Sequence, residues 1–308
     1  MRAADGVIVR PKEIMRLLIQ PDDGIDPLID AIGNARESID MYVFRLKHPA
    51  VEKALTAALE RGVAVRTLVA HTNTGGEGAL RKLELRLLGM GATVSRSDDD
   101  LLRYHGKMMI VDRSLLFLLG YNFTKKDIEK SRSLGLVTDR PAVVEEGLRL
   151  FESDFERRTY VPQLDDLVVS PLNSRVALLA LIEGATERLL IYDSRLSDNL
   201  MQEAIMRRAL AGVDVRIIGK VEKLTEPAQV QPYEGERLHV HAIVQDGSQV
   251  FIGSQGLRRA DLERRREIGL IVSDAHIVRG VASRFERDWG AGDVKENGKE
   301  KRKLAAVG

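Results

Sequence analysis

His105, Lys107, Asp112 and Asn122 fall within the segment YHGKMMIVDRSLLFLLGYN, at spacings that suit handling of an anionic phosphorus group. The segment LHVHAIVQDGSQVFIGSQG sets His239, His241, Asp246 and Gly256 at the same spacings, 134 residues later. In an extended strand, residues two apart share a face, so His105 and Lys107 project together, as do His239 and His241. An imidazole exchanges protons near neutrality. A cation and an amide donor hold anionic oxygen. Converging from strand ends, such groups can bind a phosphate and pass a proton to and from it.

The elements that must position them come in two copies. RESIDMYVFRLKHPAVEKALTAALERGVAVR at 36–66 matches ERLLIYDSRLSDNLMQEAIMRRALAGVDVR at 187–216, offset by 150 residues and sharing Tyr42 and Tyr192. Each copy opens with a short apolar run that reads as a buried strand. A helical pattern follows, with Val51, Leu55, Ala58 and Leu59 on one face in the first copy and Met201, Ile205 and Leu210 in the second. Gly62 and Gly212 end those helices, and Val-x-Val-Arg begins the next strand. Strand, helix, strand with short connections is the parallel crossover of α/β folds. Further on, FESDF at 151 matches FERDW at 285, an offset of 134. The first half therefore carries extra residues, placed at 72–88 and read as a glycine loop and a helix. The expected organisation is two similar α/β domains, 1–160 and 161–292, followed by a charged, disordered tail at 293–308.

Composition narrows the function classes. A formal net charge of +1 gives no global field toward nucleic acid or membrane, so acidic partners need local patches. The sequence contains no cysteine, which removes disulfides, thiolate metal sites and cysteine nucleophiles. MRAADGVIVRPKEIM lacks the apolar core of a signal peptide, and no charge-free apolar stretch is long enough to span a bilayer. The expected location is cytoplasmic, in part peripheral to a membrane.

The paired blocks resemble the signature of the phospholipase D-like superfamily, histidine-x-lysine-x4-aspartate followed by a Gly-Ser-x-Asn turn. Among its members, the two-copy arrangement is most similar to bacterial phospholipase D and cardiolipin synthase-like proteins. The likeness extends through VVSPLNSR, LLIYDSRLSD and RREIGLIV. It implies two domains related by pseudo-twofold symmetry, each a mixed β-sheet flanked by helices, with both motifs meeting at one interdomain site. It further implies a phosphodiesterase or phosphatidyltransferase that needs no metal and no cofactor. His105 would attack phosphorus to form a phosphohistidine. His239 would protonate the leaving oxygen and then activate water or an alcohol. Lys107, Asn122 and Ser254 would hold phosphate oxygens, Asp112 and Asp246 would orient the histidines or brace the strand ends, and Glu267 would support the second turn.

The second motif departs from the pattern, with His241 in the lysine position and Gly256 in the asparagine position. Losing one charge-assisted contact costs about 2–4 kcal/mol of transition-state stabilisation, so weakened or acid-shifted activity is expected. Three readings stay open. The first is a phospholipid substrate with peripheral membrane contact, and the second a nucleic-acid phosphodiesterase of the same superfamily. The third is a degenerate phosphate- or phospholipid-binding protein. With both motifs in one chain, a monomer suffices, and a dimer stays open too. Elsewhere the residues read as structural. His48, His71 and His276 are expected at the surface or in loops. Asp98 to Asp100 form a solvated turn, and Tyr42, Phe44 and Tyr192 pack between sheet and helices. The arginines at 258, 259, 264, 265 and 266 form a face paired with Asp261, Glu263 and Glu267.

Overall fold

The computed structural model describes residues 13–72 and 76–305, with side chains through 291. Two seven-stranded mixed sheets form the framework. The first runs Met15–Gln20, Ser133–Thr138, Leu115–Leu119, Met108–Val111, Ser38–Val43, Ala64–Val69, Thr93–Arg96. The second runs Leu167–Val169, Ile268–Val272, Gln249–Gly253, His241–Gln245, Arg188–Leu196, Asp214–Val221, Gln229–Gln231. Position by position the orders are equivalent, which is the repeat read from the sequence. In both, the strands after the crossover helix pair in parallel and the remaining neighbours pair antiparallel.

The central strands are apolar at nearly every position because both sheet faces are covered. Helices Asp26–Asn34, Pro49–Glu60 and Gly76–Gly89 contribute to one outer core, with Leu28, Ile32, Val51, Leu55 and Leu80 packed beneath the first sheet. Helices Ser174–Glu183 and Asn199–Leu210 do the same for the second, with Leu178, Met201 and Ile205. The inner faces of both sheets, from Met108, Leu116 and Leu136 to Tyr192, Val244 and Ile252, belong to one shared core. Helix Pro141–Phe155 and the first turns of Ala275–Ala305 enter that same core through Leu148, Phe151, Val281 and Phe285. The two halves thus fold onto each other. At Gly120 they approach so closely that a Cβ would stand 2.8 Å from Leu134 O and 3.0 Å from Gly253 O. Only glycine fits there.

Helix Gly76–Gly89 has no counterpart in the second half and accounts for the expected helix within 72–88. Residues 73–75, part of the expected glycine loop, lie outside the described residues, as does most of the N-terminal segment read for a leader. The backbone from Asp293 to Ala305 continues the last helix, where the sequence reading expected disorder. Glu, Lys, Arg and Ala dominate that stretch, and their helical propensity needs no apolar face. Residues 306–308 lie outside the described residues. His48 lies in a loop, as expected, at the N-cap of Pro49–Glu60, but it is buried there at 4% exposure, its ring 3.3 Å from Glu129. No described helix is long and apolar enough to cross a membrane.

Candidate active site

Two arginines lock the halves together at the point where the motif histidines emerge. Arg266 of the second half donates to both Asp154 oxygens of the first at 2.8 and 3.0 Å, and the Tyr42 hydroxyl donates to the same carboxylate at 2.8 Å. Reciprocally, Arg132 of the first half lies 3.1 Å from Asp288 of the second, which also accepts the Tyr192 hydroxyl at 2.7 Å. Each residue of one triad matches its counterpart at the repeat offset, so the relation is a pseudo-twofold. The same arginines hold the histidine backbones. His105 N–H donates to Arg266 O at 2.7 Å, and His239 N–H to Arg132 O at 2.9 Å. Each histidine is therefore fastened to the opposite half.

The side chains meet in the same crossed fashion. His105 Nδ1 lies 2.8 and 3.0 Å from the carboxylate oxygens of Glu267, which is fully buried in the second half. Lys107 Nζ stands 2.9 Å from His105 Nδ1 and 3.2 Å from Nε2, and Phe44 packs edge-on against the imidazole. A carboxylate against Nδ1 selects the Nδ1–H tautomer and leaves the Nε2 lone pair outward. Burial, reinforced by the charges of Lys107 and Arg265, pushes His105 well below its ordinary pKa and keeps it neutral. Burial likewise brings Lys107 down to about 8, against the pull of Glu267 and Asp127. Burial raises Glu267 despite the opposing charge of Lys107.

His239 faces Asp127 of the first half, Nδ1 to Oδ1 3.6 Å. Asp127 sits in the short helix Lys125–Glu129, whose N-cap Thr124 accepts the Asp127 N–H, and its carboxylate also takes the Asn122 amide at 2.6 Å and the Arg237 guanidinium. Burial would raise this carboxyl, but His239, Asn122 and Arg237 outweigh it and hold the value low. Burial drives His239 well below its ordinary value; Asp127 opposes this, while Lys107 adds to it. Lys107 thus acts on both histidines, and Asp127 on both Lys107 and His239. The motifs of the two halves form one electrostatic site. Beside it opens a cavity of about 460 Å³, lined by Phe44, Leu46 and Leu83 and by Arg45, Lys47, Lys126 and Arg237.

A family model for "Cardiolipin synthase, PLD-like domain" matches residues 28–155 and 178–289. The chain belongs to the phospholipase D-like family. Mitochondrial cardiolipin hydrolases from dog and human are each 29% identical to it over 136 residues, 44% of the chain. The match covers 50% of the dog protein and 51% of the human one, so the chain spans about half the length of these relatives. Among solved structures, polyphosphate kinase from Porphyromonas gingivalis aligns with a TM-score of 0.74 at 20% identity, covering 89% of this chain and 50% of that one. Phosphatidylserine synthase from Haemophilus influenzae aligns at 0.65 and 12% identity, covering 90% of this chain and 85% of that one. At such identities the likeness is one of fold.

Within this phospholipase D-like frame, several expected site residues sit elsewhere than anticipated. Asp112 and Asp246 are away from the histidines, past the far ends of the strands Met108–Val111 and His241–Gln245. Asp112 accepts the backbone N–H groups of Arg36, Glu37 and Ser38, and Asp246 those of Thr186, Glu187 and Arg188. Both hold positive φ, 48° and 50°, in equivalent tight turns. Their grouping with the catalytic residues is therefore corrected to bracing, the alternative role the resemblance offered. Asn122 spends its amide on Asp127. Ser254 bonds the Ile268 backbone and Glu267, which steadies that carboxylate. The second turn's acidic residue, Glu267, serves the first histidine. The sequence reading missed Asp127 and Asp193. Asp127 carried a usable signal, since KKDIE and RADLE place Asp127 and Asp261 at the 134-residue offset. Asp193 carried none, because its counterpart is Val43. The arginine face is paired as expected at Arg258, Arg259 and Arg265, while Arg266 turns inward to Asp154.

Proposed function

We propose that this chain is a metal-independent phosphodiesterase or phosphatidyltransferase that works through a phosphohistidine intermediate on a phospholipid substrate. The observation that carries this reading is the crossed arrangement of His105–Glu267 with Lys107 and His239–Asp127, one imidazole held by a carboxylate and the other facing one, with one lysine acting on both. Glu267 holds the Nδ1–H of His105, so Nε2 attacks phosphorus as the bond to the leaving oxygen breaks. The substrate's negative charge raises the pKa of His239, which then donates its proton to that oxygen. Water or an alcohol next gives its proton to His239 and attacks phosphorus. The N–P bond breaks and free His105 returns. Lys107 faces the nonbridging oxygens throughout, in a buried position where its charge counts most. Asp127 steadies the positive form of His239. The apolar part of the neighbouring cavity, Phe44, Leu46 and Leu83, suits the acyl side of a lipid substrate.

The second reading, nucleic-acid phosphodiester hydrolysis, is favoured by one observation, the cations Lys47, Lys126 and Arg237 on the wall of that cavity. Hydrolysis of bis(p-nitrophenyl) phosphate in EDTA, from about pH 5 to 9, tests the core of the proposal. Wild type is expected to turn over and His105→Ala to lose roughly 10³-fold or more. EDTA-sensitive turnover, or an unimpaired His105→Ala, would overturn it. Parallel assays on vesicles of anionic phospholipid and on single-stranded DNA separate the two substrate readings.

A further inference from the structure

The two halves differ at three positions that come together in space. Where the first has Lys107, Asn122 and Val43, the second has His241, Gly256 and Asp193. Asp193 and His241 are register partners on adjacent strands, and Asp193 Oδ2 lies 3.6 Å from His241 Nδ1. Both are buried, at 1% and 6% exposure. The same carboxylate accepts the N–H groups of Leu257 at 2.6 Å and Arg195 at 2.8 Å. Burial would raise it, yet His241 and these N–H groups hold it below its ordinary value.

Gly256 stands against the same ring. A Cβ there would lie 2.9 Å from His241 Cε1 and 2.8 Å from Asp261 Oδ2. The φ of Gly256 is outside the left-handed region, so the backbone does not demand glycine. Space does: an asparagine like Asn122 could not coexist with the imidazole in its present place.

We propose that His241, Asp193 and Gly256 are one co-adapted unit, an imidazole facing a buried carboxylate in the place of a phosphate-facing lysine, with the glycine clearing its space. This deepens the phosphodiesterase reading and rests on it for its functional half. His241 turns Nδ1 toward Asp193, which leaves Nε2 to face a nonbridging oxygen. The charged and titratable groups acting with it are Asp193 on the neighbouring strand, Asp261 from the helix Arg259–Glu263, Glu267 and His239. In such a unit, restoring the lysine alone brings no gain: beside Asp193, the introduced ammonium pairs with that carboxylate and is drawn off the phosphate.

Two measurements test this, and the first needs no activity. In a thermal-unfolding cycle, Gly256→Ala is expected to lower the midpoint by about 5 °C in wild type. It should cost clearly less in a His241→Ala background, where the collision with the ring is gone and that with Asp261 Oδ2 is left. Equal cost in both backgrounds would overturn the packing of the unit. The second measurement compares hydrolysis of bis(p-nitrophenyl) phosphate by H241K and by H241K/D193V/G256N. H241K alone is expected to be no faster than wild type, and the triple variant at least about tenfold faster than H241K. H241K alone matching the triple variant would overturn the role of Asp193. A wild type without turnover would count against the phosphodiesterase reading, while the unfolding cycle still decides the unit.

Discussion

Lys107 keeps its ammonium in a buried position against the His105 ring, and burial brings its pKa down to about 8. The charged form stabilises the phosphoryl transition state, so activity should be lost as pH rises through that value. His105 must be neutral to attack, and its pKa lies well below the ordinary histidine range, so activity should persist below pH 6.5. The expected kcat/KM profile, which reports the free protein, therefore has an alkaline limb from Lys107 near pH 8 and no acid limb from His105 above 6.5. Steady-state rates across pH check this, and a rate still rising above about pH 9 would contradict it. The histidines and Lys107 were legible because residue type and spacing repeat at one offset. The carboxylates that tune them were not all legible, because burial decides their role. Asp127 sits among lysines and a glutamate in a charged stretch that gives no sign of burial, and Asp193 has an aliphatic counterpart.

The strand–turn–strand unit behind each histidine depends on a braced aspartate. Asp112 at φ 48° gathers three backbone N–H groups from the start of strand Ser38–Val43 and ties that strand to Met108–Val111. Burial acts to raise its carboxyl, but the N–H groups of Glu37, Ser38 and Arg36 win and depress it. A depressed carboxyl contributes stability above its unfolded pKa and loses it as pH falls through the folded value. Asp112→Asn tolerates the left-handed backbone, so it removes mainly charge-assisted bonds, worth about 1–2 kcal/mol. Urea unfolding should show that gap at pH 7 and a narrowing of it as pH falls below the unfolded carboxyl's value of about 3.9. A gap unchanged by acid would contradict the account. The strands and crossover helices were readable from periodicity, since buried runs and helical faces follow their own periods. The helical continuation through Ala305 was not readable, because a charged stretch without an apolar face gives propensity and no packing signal.

Across the whole molecule, the crossed fastening of the histidines makes the site a property of the paired halves. Arg266 and Asp154, with Arg132 and Asp288, are buried ion pairs between halves, and such pairs specify geometry more than they add stability. The duplication was legible at 150 and 134 residues, and so was the match of Tyr42 with Tyr192. That the tyrosine hydroxyls would steady the aspartates that bind the opposite half's arginine required knowing how the sheets face each other. The central claim is that His105 and His239 serve one phosphorus in two steps. The most direct test is rapid quenching of His239→Ala with a p-nitrophenyl phosphodiester, followed by mass spectrometry of the peptides. Its leaving group needs no proton, so the first step proceeds, and the second stalls without its base. The expected result is an acid-labile adduct on His105 that is absent from the His105→Ala protein. An adduct on another residue, or turnover with none on His105, would contradict the account.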